Sequence, residues 1–252
     1  MCAVKEWLKP FVSITDIISD SIIWLKIEKK LFESDIDIYV AFTYIPPEGS
    51  VFHSAYNIDI FDILEDSIAK YTSLGRVVVM GDLNSRCGTV ADFIEADEID
   101  AAIQNHVLSV LSYIPDAEIP KRSSEDLSIN FHGRALISLC KSARMRILNG
   151  RDHDNITGKV TFCNARGTSL IDYVLVEDAF LQEKICSFSV GDFNEYSDHT
   201  PIYLTLKIQK HGNYDHSVNI PTTTHSNPIR VSWNPNAIDD IKNKLNDVLQ
   251  TS

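Results

Sequence analysis

Four short stretches place acid, amide, imidazole and phenol groups at the expected ends of apolar strands or within one. The run Val77-Val78-Val79-Met80 leads into Gly81-Asp82-Leu83-Asn84. If the chain stays extended there, side chains alternate with period two, and Asp82 and Asn84 point to the same side. Leu170-Ile171-Asp172-Tyr173-Val174-Leu175 sets Asp172 inside an apolar strand, where an unpaired carboxylate is costly. Tyr196-Ser197-Asp198-His199-Thr200-Pro201 puts Asp198 and His199 just before another strand, and Thr43-Tyr44-Ile45-Pro46 ends a strand on Tyr44.

Taken singly, each has a bland reading: Gly-Asp after a strand is usually a turn, and a Tyr before Pro-Pro is usually packing. Together they form one pattern, because each polar group sits at a strand end or within an apolar strand. Such a set suits phosphodiester hydrolysis. Carboxylates hold Mg²⁺, which polarises a phosphoryl oxygen, and a carboxylate or imidazole takes a proton from the attacking water. A buried Asp beside a His fixes its orientation and keeps it basic. A serine-hydrolase reading of Ser197-Asp198-His199 fails, because three consecutive residues cannot form a nucleophile–base–orienter line. Gly191-Asp192-Phe193-Asn194 repeats the Gly-Asp-x-Asn spacing and is read as coincidence.

The elements that must carry these groups alternate strand and helix, an α/β signature. Strand-like runs cover Phe11–Ile14, Ser21–Lys29 and Ile36–Ile45, with Ile23, Leu25 and Ile27 on one face of the second. Asn57 is the expected N-cap of a helix with the stripe Ile60, Phe61, Leu64, Ile68 and Tyr71, closed by Gly75. Residues 87–129 form a long insertion, acidic from Ala91 to Glu98 and apolar over Val107–Ile114. A helical stripe follows at Leu136, Leu139, Cys140 and Ala143, then a strand over Arg146–Leu148. Val160–Asn164 and Ser169–Val176 flank a hairpin turn at Ala165-Arg166-Gly167-Thr168, and Cys186–Val190 and Pro201–Ile208 read as a strand pair. Residues 211–233 read as a linker. Beyond it Asn234-Pro235 caps a helix striped by Ile238, Ile241, Leu245 and Val248.

The length of 252 residues suits one large domain with a tail. A net charge of −12 argues against nucleic-acid binding through the overall field, though not against a local basic strip. Five cysteines without a C-x-x-C pair speak against zinc and disulfide frameworks and for a reducing, intracellular setting. No apolar run approaches the roughly 18 residues of a membrane span. Lys5, Lys9 and Pro10 interrupt any signal-like segment.

In that order, G-D-L-N, L-I-D-Y and S-D-H resemble the endonuclease/exonuclease/phosphatase superfamily. The run Pro120–Asp126, Asn130, Gly133-Arg134-Ala135-Leu136 and Ile147-Leu148-Asn149-Gly150 is similar to the endonuclease domain of non-LTR, LINE-type retrotransposons. The likeness spans about residues 11 to 208, within a domain set at 1–210. It implies a DNase I-like, four-layered α/β sandwich of two packed mixed sheets, with Mg²⁺ as cofactor, Mn²⁺ as a substitute and DNA as partner. Asp82 would activate or orient the attacking water, Asn84 would position it and the phosphate, and Asp198 would bind the metal. Asp172 would orient His199, and Tyr44 would hydrogen-bond the phosphate. Whether Asp82 or His199 is the base stays open. The family begins with two strands carrying an Asn and a metal-binding Gln-Glu, and neither precedes Phe11 here. The resemblance therefore implies a truncated chain with an open sheet edge and impaired turnover. It also implies a nuclear setting and a reverse transcriptase region after residues 234–252.

For DNA contact, Lys141, Arg144, Arg146, Arg151, Lys159 and Arg166 form a locally basic stretch opposed by Asp152 and Asp154. The competing reading is a set of ordinary solvated charges. Two other functions compete as well: a phosphatase or phospholipase of the same fold, and an inert relic or binding module.

Overall fold

The computed structural model describes residues 3–32, 34–56, 59–95, 116, 119–151, 156–183, 186–206 and 229–233. Its centre is the strand β4 (Arg76–Asp82). Consecutive apolar residues there bury opposite faces: Val77 and Val79 pack into one core, Val78 and Met80 into another. Around it a six-stranded mixed sheet forms from β1 (Val12–Ile18), β2 (Ile22–Ile27), β3 (Ile38–Tyr44), β5 (Met145–Ile147) and β8 (Asp172–Glu177), in the order β1-β2-β3-β4-β8-β5. Strand β3 runs parallel to β4, and β8 antiparallel to it.

The return from β3 to its parallel neighbour needs a crossover. It is made by α1 (Val51–Tyr56) and α2 (Ile60–Thr72). The expected stripe of α2 is buried in full and packs on Trp24, Val77 and Val79. Beside it, α3 (Phe131–Ser142) adds Leu136, Leu139 and Cys140 to the same core. On the other face, β9 (Cys186–Val190) and β10 (Ile202–Leu206) pair antiparallel. They send Phe188, Val190, Ile202 and Leu204 against Val78, Met80, Val174 and Val176. Two sheets thus pack face to face with helices outside the larger, the α/β sandwich the sequence leads one to expect. A hairpin of β6 (Phe162–Asn164) and β7 (Gly167–Ser169) turns at Ala165-Arg166. Among the described residues, no helix is long and apolar enough to cross a membrane.

Several boundaries differ from the sequence reading. The N-cap of α2 is Asp59, whose Oδ1 accepts from the Phe61 N–H at 2.9 Å. Asn57 lies outside the described residues. The expected linker 211–233 ends in a strand, β11 (Ile229–Trp233), paired with β10 so that Trp233 stands opposite Ile202. A polar, Pro-containing stretch masked that short β-branched alternation, which only a partner edge stabilises. Short α4 (Asp178–Glu183) and α1 carry too few turns to show a helical period. The apolar run Val107–Ile114 and the helix expected after Asn234 lie outside the described residues.

Candidate active site

Alternation along β4 carries Asp82 to the face of Val78 and Met80, at the rim between the two sheets. Antiparallel pairing sets Asp82 directly opposite Asp172, the first residue of β8. Both are almost fully buried, at 3% and 1% exposure. Gly81 is required by its neighbour: at φ +144°, a Cβ there would lie 2.0 Å from the Thr43 carbonyl oxygen.

Burial above all, and then the charge of Asp172, pushes the Asp82 carboxyl up to about 7. Opposing them, its Oδ1 accepts from the Asn84 backbone N–H at 2.9 Å and its Oδ2 from the Asn84 carboxamide at 3.1 Å. Asn84 also donates to the Ile45 carbonyl at 2.8 Å. Both amide hydrogens are thereby committed, leaving Oδ1 as the atom able to meet a ligand.

His199 reaches the same place from the loop before β10. Its Nδ1 lies 2.9 Å from Asp172 Oδ2. Burial lowers the imidazole pKa, but the hydrogen bond to Asp172 and the charges of Asp172, Asp82 and Asp198 outweigh it and raise it above the ordinary value. The Phe162 ring stands edge-on to His199, centroids 4.8 Å apart. Asp82, Asp172 and His199 form the one group among the described residues whose ligand atoms are close enough to hold a metal ion, all within 4.8 Å of one another.

Asp198 is outside that group. It is exposed, and its carbonyl accepts from the Cys163 N–H at 2.9 Å. With His199 and Phe162 it lines a cleft of about 440 Å³, whose remaining wall is Asn194 to Ser197. The second Gly-Asp-x-Asn therefore sends its last residue to the cleft wall, while Asp192 is exposed. Tyr44 pairs in register with Asp82 across the parallel ladder, placing it at the same rim.

Two of the cations expected to meet DNA are interior. Arg146, with no exposed side-chain surface, binds Asp116 at 2.7 Å and the carbonyls of Met145, Asp92 and Cys140. Arg151, 4% exposed, makes two 2.6 Å bonds to the buried Asp92 carboxylate. They are neither phosphate contacts nor solvated charges; they close the insertion onto the core. Arg144 pairs with Asp178 at 3.2 Å, Lys141 is half-buried on α3, and Arg166 is exposed at the hairpin tip.

Sequence reasoning missed the supports. Asn149, wholly buried, donates to the Asp172 carbonyl at 3.0 Å and accepts from the Val174 N–H at 3.2 Å. Thr161 Oγ1 accepts from the N–H groups of Ile171 and Asp172. The Asn-Gly after a strand was the only trace of the first; the second left none.

No family model matches the sequence, and no curated protein sequence matches it. By fold the chain is similar to a 3'-5' exonuclease (NExo) from Neisseria meningitidis, at 14% identity and TM-score 0.48, covering 78% of this chain and 70% of that one. A 3' phosphatase NExo from Neisseria bound to a product DNA hairpin gives 14% identity, TM-score 0.47 and the same coverage. An endonuclease/exonuclease/phosphatase family protein from Leptotrichia buccalis gives 12%, 0.36, and coverage of 74% and 53%. The likeness concerns the fold alone.

Proposed function

We propose that this chain hydrolyses phosphoester bonds, with DNA as the substrate, at the rim formed by Asp82, Asp172 and His199. One observation carries the reading: two buried carboxylates are held opposite each other, and one of them orients an imidazole at 2.9 Å. A purely structural core gains nothing from that arrangement, because like charges in low dielectric repel and each costs desolvation.

The donor set fits a hard divalent cation such as Mg²⁺. Two carboxylates lie together, and burial with the charge of Asp172 pushes the Asp82 carboxyl up to about 7 in spite of His199. Asp82 and Asp172 would hold the ion, which supplies charge stabilisation at the phosphoryl oxygens. Asn84 Oδ1 orients the attacking water, and Asp82 or His199 takes its proton. Asp172 fixes the His199 tautomer by accepting at Nδ1, which turns Nε2 toward the phosphate. The finer form of the proposal is a retrotransposon-type endonuclease, supported by the order of G-D-L-N, L-I-D-Y and S-D-H. Its turnover is slow, because the described cluster brings two carboxylates and Asp198 stands apart from them.

A second reading, a phosphomonoesterase of the same chemistry, is favoured by the burial of Arg146 and Arg151, which removes two cations from any duplex-binding face. A substrate screen separates the two. With Mg²⁺, nicking of supercoiled plasmid that vanishes in Asp82→Ala supports the endonuclease. Phosphate release from a 3'-phosphorylated oligonucleotide or an inositol phosphate, without nicking, supports the phosphomonoesterase. Activity unchanged in Asp82→Ala overturns both.

A further inference from the structure

Asn84 has φ +45°, in the left-handed region that asparagine tolerates better than most residues but still at a cost. Its carbonyl accepts from Asn130 Nδ2 at 3.1 Å. Asn130 Oδ1 accepts from the Arg86 N–H at 2.8 Å and the Gly133 N–H at 2.7 Å, and the Asn130 N–H donates to the Arg86 carbonyl at 3.1 Å. One side chain thus caps α3 and grips the loop after Asp82 at two residues. The contact is close: a Cβ on Gly133 would stand 1.9 Å from the Arg86 carbonyl oxygen. Farther along the same helix end, the His132 N–H donates to Glu48 Oε1 at 2.9 Å, tying in the loop after Tyr44.

We propose that Asn130 is a positioning residue for Asn84, holding its left-handed backbone so that the carboxamide stays on Asp82 and Ile45 with Oδ1 turned outward. This rests on the reading of Asn84 as a group of the reacting centre. The side-chain type is informative. A helix cap needs only an acceptor, which Asp or Ser supplies as well as Asn. The bond to Asn84 needs a donor in addition: Asp has none, and Ser has a single hydroxyl, one bond shorter, in place of the separate Oδ1 and Nδ2 with which Asn130 spans the helix end and the Asn84 carbonyl.

Asn130→Asp and Asn130→Ser separate the two roles, since both keep a capping oxygen and neither presents an amide donor to the Asn84 carbonyl; Ser adds no charge. Both variants are expected to melt within about 3 °C of the parent. We expect their kcat to fall roughly tenfold or more, with KM within about threefold. Exchange of the Asn84 side-chain amide protons, followed by NMR, should quicken by about tenfold in both. Parent-like kcat in both variants, or a loss of kcat that only tracks a fall in melting temperature, overturns the role. Unchanged Asn84 amide exchange overturns it as well. If the parent protein hydrolyses no phosphoester, the functional reading fails, and the exchange measurement still decides whether Asn130 holds Asn84.

Discussion

Asp82 and Asp172 occupy paired positions on neighbouring antiparallel strands, each with its carboxyl nearly excluded from water. Like charges directly opposite each other on a ladder are destabilising, and burial magnifies the effect. The pair is tolerated because its surroundings are fully tied. Asn84 satisfies both Asp82 oxygens, His199 sits on Asp172, and Asn149 and Thr161 fix the Asp172 backbone. Strain of this kind, next to a histidine that lines a cleft, points to function rather than to folding.

The first consequence is a pH-dependent penalty. The Asp82 pKa is raised in the folded protein, so between about pH 4 and 7 the folded state binds more protons than the unfolded, and stability falls as pH rises through that window. In metal-free protein, Asp82→Asn removes the penalty. Its stability relative to the parent should therefore improve between pH 4 and pH 8, by up to about 4 kcal/mol. Urea unfolding at a series of pH values checks this; a gap that stays flat with pH contradicts it.

His199 gives a second test. Its pKa is raised in spite of burial, with the Asp172 hydrogen bond as the first of the opposing causes. An NMR titration of the metal-free protein should place its midpoint above the ordinary histidine value. In Asp172→Asn the midpoint should drop by about one unit or more. The stability that the pair contributes is present at low pH and lost as pH rises through the folded midpoint. A midpoint insensitive to Asp172→Asn would break the proposed pairing.

The buried arginines predict a stability effect rather than a binding effect. Burial pushes the Asp92 carboxyl up, and the Arg151 guanidinium more than offsets this, holding it below the ordinary carboxylate value. Arg151→Ala strands that carboxylate and should cost roughly 3–5 kcal/mol. Arg146→Ala should cost less, roughly 2–3 kcal/mol, because Asp116 keeps Arg144 at 3.8 Å and the Ile94 N–H at 2.8 Å. Arg166→Ala, at the exposed hairpin tip, should leave stability within about 0.5 kcal/mol. Chemical denaturation of the three variants checks the ranking.

How much of this was legible in the sequence depends on how local each signal is. The apolar run Val77 to Met80, the stripe of α2 and the placing of Asp82, Asn84 and His199 beside strand ends needed only neighbouring residues. Asp172, expected inside a strand, is the first residue of β8, and the structure brings the four together. The arginines were misread because their local charge says nothing of partners far away: Arg151 finds Asp92 across 59 residues. Asn130 entered the sequence reading only as part of a family likeness, because its bond to the Asn84 carbonyl spans 46 residues. Strand β11 hid in a polar stretch, because its hydrogen bonds come from β10.

The most direct measurement is single-turnover hydrolysis of a phosphodiester-containing DNA duplex by the parent protein and by Asp82→Asn, Asp172→Asn and His199→Ala, with Mg²⁺ and with EDTA. The geometry predicts Mg²⁺-dependent cleavage by the parent, slowed by roughly 10²-fold or more in each variant and abolished by EDTA. Cleavage that persists at the parent rate in Asp82→Asn and Asp172→Asn would contradict the account, because no other group of described residues offers that chemistry.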